Sequence, residues 1–245
     1  MLKPFYLIPV FCLLQLSSYS QYDPGATMML AQNNMLYNNT IQSFVNQNII
    51  NDLAYSNTPK AGGTRRSKAT APADAATFLI SPGSSTSVKV KQSIINRLKS
   101  RNPTAGKNLE NALNQYDPFN AYLRLLTSLG LDVHHNYADA FTAYILGMWR
   151  IANGMSGNPT LTQINAVRSQ VRSNVRVAGW SNQQKQEAVE YMIYDLIFAN
   201  EPYESSRKAR DKKQMALDAD MVYQRFLKQH KMDLRNMRLT DKGLI

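Results

Sequence analysis

Three acidic side chains of this 245-residue chain stand where a carboxylate could do work. Asp139 falls inside an apolar segment, beside Asn136. Glu187 and Asp195 share a stretch with helical periodicity, in which a helical wheel sets Asp195 among Tyr191, Ala188, Ala199 and Met192 and sets Glu190 opposite. A carboxylate on an apolar face needs an arginine or a tyrosine hydroxyl beside it, because an unpaired buried charge neutralises instead. Facing a cleft, Asp195 would be the best general acid or base; facing the core, it is half of a structural pair. Asn136 and Asp139 read better as a helix cap, with Asn at the N-cap and the acid three residues later in the reciprocal geometry of a capping box.

Arg168, Arg172 and Arg176 recur every four residues, on one face of a helix over about 12 Å at 1.5 Å per residue. They form either an anion-binding ladder or ion pairs with Glu187, Glu190 and Asp195 on the next helix. His134 and His135 are adjacent, so in an extended segment only one can point toward Asp139. With His230 the sole other histidine, no metal-ligand spacing exists, and no metal is expected. There is no G-x-S-x-G elbow and no phosphate-binding glycine pattern, and the one cysteine, Cys12, lies in the N-terminal apolar run. No cofactor is expected.

The elements that must position these groups are helices. Ile94, Ile95 and Leu98 mark one after residue 88, and Asn102-Pro103 breaks it. A second runs from about Thr104 to Gln115. Asp117 caps a third that Pro118 opens and Gly130 ends. Asn136 to Asn153 is apolar around most of its circumference, including Tyr144 and Trp149, and so must be central. Thr160 with Gln163, and Ser181 with Gln184, are capping boxes for the fifth and sixth. Glu201-Pro202 should stop the sixth at Asn200. A seventh, polar at first, carries Met215, Val222, Phe226 and Leu227. The expected fold is all-α, a compact bundle of about six to seven helices over residues 76–245. Thr77 to Ile80 is a strand or a docking segment, closed by Ser81-Pro82-Gly83.

Before the bundle, residues 1–20 have the layout of a signal peptide: Lys3, an apolar run from Pro4 to Leu16 too short to span a bilayer, then Ser18 and Ser20 before Gln21. Residues 21–75 are Asn- and Gln-rich, then basic and rich in Pro, Gly, Ala and Thr, a low-complexity segment and linker. Within them Leu36, Ile41, Phe44, Val45, Ile49 and Leu53 recur at near-helical intervals, and Asn38-Asn39-Thr40 matches a glycosylation sequon. The expected location is therefore outside the cytoplasm, periplasmic or extracellular.

Charge is uneven. The formal net charge is +11; ten basic residues and only Asp74 lie between Lys60 and Lys107, and eleven basic against five acidic between Arg207 and Lys242. Such a surplus attracts polyanions in a salt-sensitive way, and it also simply aids solubility. With hydrophobic residues at 44% and a mean hydropathy of -0.38, a polytopic membrane protein and a fully disordered chain are excluded.

Asn136-Tyr137-Ala138-Asp139-Ala140-Phe141 continuing to Trp149 and Ala152-Asn153-Gly154, then Ala166-Val167-Arg168-Ser169-Gln170-Val171, then Met232-Asp233-Leu234 through Leu239-Thr240-Asp241-Lys242-Gly243-Leu244, resemble in order the pieces of an uncharacterised family of exported bacterial helical proteins. The resemblance covers roughly residues 76–245 and implies a bacterial, exported, helical domain. It supplies no site residues. The function expected from these readings is binding, without catalysis, to an anionic envelope polymer or surface, to a protein partner, or to nucleic acid. The alternative is a helical hydrolase of peptidoglycan or polysaccharide working through a pair among Asp139, Glu187, Glu190 and Asp195.

Overall fold

The computed structural model describes residues 75–245. The signal-peptide reading and nearly all of the low-complexity segment, residues 1–74, lie outside the described residues. Within them the fold is all-α. Seven α-helices follow one another: α1 (Ser84–Arg101), α2 (Pro103–Gln115), α3 (Pro118–Ser128), α4 (Tyr137–Ala152), α5 (Leu161–Asn174), α6 (Asn182–Lys208) and α7 (Lys212–Arg225). A π-helical turn, Phe226–His230, extends α7, and a small antiparallel hairpin, β1 (Leu239–Thr240) with β2 (Gly243–Leu244), ends the chain.

Local chemistry sets most boundaries. Asn102 ends α1 and caps α2, its Oδ1 accepting from the Ala105 amide at 2.9 Å, with Pro103 at the first helical position where its missing N–H costs nothing. Asp117 does the same for α3 before Pro118. Gly130 and Gly154, at φ +79 and +65, end α3 and α4 in the left-handed conformation that glycine adopts freely. Both reciprocal capping boxes, Thr160 with Gln163 and Ser181 with Gln184, are formed.

Helix α4 is the centre, packed against α5, α6 and α7 and buried along nearly its whole circumference. Helix α6 is shared between two cores. Its Val189, Ile193, Leu196 and Ile197 join the main core around α4, while Tyr194 and Phe198 complete a smaller core with Val90, Ile94, Leu98, Leu109 and Leu113 from α1 and α2. The α1–α2 hairpin is thus a separate arm lying on the far side of α6. Gly106 lets its two helices touch, since a Cβ there would come within 2.6 Å of the Lys99 backbone.

Three expectations are corrected. Helix α6 runs through Pro202 to Lys208, because contacts on both sides of the proline hold it: Asn200 and Glu204 to Arg150, and Ser206 to Asp218. Glu190 is only 3% exposed, because α1 covers the face of α6 that a lone helix would give to water. The chain also starts α1 earlier than residue 88. Thr77 to Gly83 is a docking strap, with Phe78 and Ile80 buried, Leu79 bridged to Asn136, and the side chains of Asn182, Lys185 and Gln186 bonded to its backbone.

Candidate functional site

The carboxylates singled out in the sequence do not meet. Asp195, 2% exposed, lies at the junction of α4, α6 and α7, where Arg225 bonds it from two nitrogens at 2.8 and 3.1 Å and the Tyr144 hydroxyl donates at 2.8 Å. Burial and that neighbouring carboxylate hold the Tyr144 hydroxyl well above its usual range. Asp139 sits 2.7 Å from Arg168 Nε in an ion contact too poorly aligned for a hydrogen bond, and its Oδ2 accepts from the Asp132 amide at 2.8 Å. Asn136 caps α4 as expected, through the Ala138 and Asp139 amides, but the reciprocal half of the box is absent because Arg168 and Asp132 occupy the acid. Glu187 is half-buried and accepts from Gln183 at 2.8 Å. Burial raises the Glu190 carboxyl above its ordinary pKa, and the hydrogen bonds it accepts from Ser87 and Gln186 counter only part of that rise.

The arginine ladder is not assembled either. Helix α5 stops at Asn174, so Arg176 lies beyond it and bonds the Ser173 carbonyl. Arg168 turns to Asp139 and the Gly130 carbonyl, and Arg172 has its Nε buried without a hydrogen bond. The acids of α6 therefore do not neutralise this row; an acid of α4 takes its first member. His135 pairs with Asp132 and stacks edge-on to His134, while His230 is buried in the π-turn against Phe226. Among the described residues no three His, Cys, Asp or Glu side chains gather as metal ligands.

A cavity of about 410 Å³ opens instead between α3, α4, α6 and the loop after Gly154. Leu125 and Leu126 of α3, Leu146 of α4, Ile164 of α5 and Leu196 of α6 give it an apolar wall. Its polar end is built around Glu204. Arg150 reaches that carboxylate at 2.8 Å and also bonds Asn200, while Arg207 takes it through Nε at 2.9 Å and Nη2 at 2.7 Å. Hydrogen bonds from both guanidinium groups hold Glu204 below its ordinary pKa although burial works against them.

Glu201, one turn earlier on α6, also lines the cavity. It is 8% exposed and its Oε2 has no hydrogen-bond partner among the described residues. Burial pushes its carboxyl up to about 7, against the pull of Lys208. Across the cavity, burial pushes Tyr122 up to about 12.

No family model, curated protein or solved structure matches this chain. Its chemistry rests on its own side chains. Arg150, Glu201 and Glu204 were missed in the sequence because Glu201-Pro202 reads as a helix stop. The available signal was Arg150, the one charge in α4 after Asp139.

A second feature is the outer face of the α1–α2 arm. Residues 84–115 hold six basic residues (Lys89, Lys91, Arg97, Lys99, Arg101, Lys107) against the single acid Glu110, a net of +5. Lys99 takes Glu110 at 2.7 Å and Lys91 is spent on the Leu113 carbonyl and Asn114. Lys89, Gln92, Ser93, Asn96, Arg97 and Ser100, at i, i+3, i+4, i+7, i+8 and i+11 on one helix face, line a shallow groove along α1.

Proposed function

We propose that this protein is an exported binding protein that attaches to phosphate-bearing polyanions of the cell envelope through the outer groove of α1. The observation that carries this reading is that groove: Lys89 and Arg97 line it together with Ser93, a Gln92–Asn96 pair bonded at 2.8 Å and Ser100, which bonds the Arg97 carbonyl, on a helix without a single acid. Cations separated by polar groups suit a repeating anion, since each phosphate can be neutralised while its remaining oxygens accept hydrogen bonds. The arm's own core against Tyr194 and Phe198 lets the groove present itself as a rigid surface. Among the described residues no helix is long and apolar enough to cross a membrane.

The hydrolase reading has one observation in its favour, the split between Glu201, raised by burial, and Glu204, lowered by arginines. Two guanidinium groups occupy Glu204, however, so it is poorly placed as a nucleophile or water-activating base. Binding is the better reading.

The test is co-sedimentation of the full chain with purified peptidoglycan, lipopolysaccharide and DNA over a range of salt, with soluble products followed. Binding to lipopolysaccharide and DNA, whose anions are phosphates, that falls steeply with salt and leaves the polymer intact is expected; preference for peptidoglycan, whose anions are carboxylates, would overturn the phosphate reading. Salt-insensitive binding would overturn the reading. Product release that Glu201→Gln abolishes would replace it with hydrolysis. Export is checked by sequencing the amino terminus of the secreted form, expected at Gln21.

A further inference from the structure

The cavity between α3, α4 and α6 has a composition that the polyanion-binding groove on α1 does not explain, and its occupant follows from a charge balance. Arg150 and Arg207 share the one carboxylate of Glu204, so this three-residue cluster carries one unmatched positive charge. Arg207 spends Nε and Nη2 on Glu204 and retains Nη1 as a donor. Lys208 also lines the cavity. On the negative side stands only Glu201, a nearly buried carboxyl with an unpartnered oxygen. Opposite this polar end the wall is leucine and isoleucine, and a volume of about 410 Å³ falls within the range of cavities that hold small ligands.

The geometry points to a binding site for a small monoanionic amphiphile, an acyl-chain carboxylate, whose head is held by Arg207 and Glu201 and whose chain lies against Leu126, Leu146 and Leu196. The anionic head supplies the charge that the Arg150–Glu204–Arg207 cluster lacks. Glu201 in its protonated form donates to that head, so the orphan carboxyl is satisfied by the ligand. A cationic head would meet two arginines and a lysine around one firmly ionised acid, and a neutral head would leave the surplus charge unmatched.

The pH dependence follows. The titratable and charged groups that line the cavity with Glu201 are Glu204, Arg207 and Lys208 of α6, Arg150 of α4, Tyr122 of α3 and Tyr116 just before α3. Tyr122, pushed up to about 12, keeps its proton well above neutral pH. Burial brings the Glu201 carboxyl up to about 7. Ionising it places a second negative charge beside the ligand's, so affinity must fall as pH rises.

The experiment is calorimetric titration of the full chain with decanoate, decanol and decylamine, three heads on one tail, below their aggregation concentrations. Decanoate is expected to bind about tenfold or more tightly than decanol, and decylamine least, with decanoate affinity falling about tenfold between about pH 6 and about pH 9. Glu201→Gln, a neutral donor at every pH, should bind decanoate with a flat profile. Leu125→Trp, which fills the cavity from an exposed position, should abolish binding while the helical circular dichroism is retained; Ala121→Trp tests the same wall should that variant misfold. Tighter binding of decylamine, equal binding of decanol, no binding of any of the three, an unchanged pH slope in Glu201→Gln, or undiminished binding in folded Leu125→Trp or Ala121→Trp would each overturn the assignment.

Discussion

Arg225 of α7 grips Asp195 of α6 with both terminal nitrogens, at 2.8 and 3.1 Å, where neither side chain is more than 5% exposed. Tyr144 of α4 donates to the same carboxylate at 2.8 Å, so one buried anion ties three helices together. Removing one partner of such a pair strands a charge. Arg225→Met should therefore cost about 3–5 kcal/mol in urea unfolding, while Tyr144→Phe, which leaves the pair intact, should cost about 1 kcal/mol. Replacing both members, Arg225→Met with Asp195→Leu, should recover most of the loss. A double variant as unstable as the single would show that the carboxylate's place, not its charge pairing, carries the cost.

Pro202 lies inside α6 with four residues of helix or more on either side. A proline there removes one helical donor and crowds the carbonyl four residues back, at about 3 kcal/mol relative to alanine. Part of this is offset because proline also restricts the unfolded chain. Pro202→Ala should accordingly raise the unfolding free energy by about 1–3 kcal/mol in chemical denaturation. A loss of stability would mean that the proline ring's packing outweighs the missing bond.

Two buried groups give pH effects of opposite sign. Burial and Arg225 lower His230 from 6.5 to about 4, so between those values the unfolded chain holds a proton that the folded one releases, and stability is lost as pH falls. Glu201, raised from 4.5 to about 7, binds a proton when folded that the unfolded chain gives up, and stability is lost as pH rises. Each contributes about 1.4 kcal/mol per pH unit where the two states differ by a full proton, so they oppose one another from about pH 4.5 to 6.5. Compared with the parent, Glu201→Gln should show a stability profile tilted upward with pH across this range by about 2–3 kcal/mol. His230→Gln should tilt the other way. Parallel profiles for parent and Glu201→Gln would contradict the assignment of a raised carboxyl.

What the sequence disclosed and what it concealed divide along a physical line. Caps are local: Asp117-Pro118, Thr160 with Gln163, and Ser181 with Gln184 carry their geometry within four residues, and each stands where it was expected. The need of Asp195 for an arginine or a tyrosine was legible as well, although which ones was not. Glu190 was misplaced because its burial depends on α1, about a hundred residues away in sequence, covering the second face of α6. Arg168 chose Asp139 over the nearer acids of α6 for the same reason, since α5 packs against α4. Tertiary contacts also overrode the stop at Pro202, and with it hid Glu201. The terminal hairpin depends on Gln170 of α5, whose side-chain amide bonds both backbone groups of Leu244, a pairing no periodicity reveals.

The central claim, attachment to phosphate through the groove of α1, is tested most directly by the salt dependence of binding for the parent and for the Lys89→Gln, Arg97→Gln double variant. Both positions line the groove, at i and i+8 on one face. Each phosphate neutralised contributes about 0.7–0.9 to the slope of log affinity against log salt. The variant's slope should be shallower by about 1.4–1.8, with weaker binding at low salt and an unchanged unfolding midpoint. Equal slopes for the two proteins would contradict the account and place the contact elsewhere on the chain.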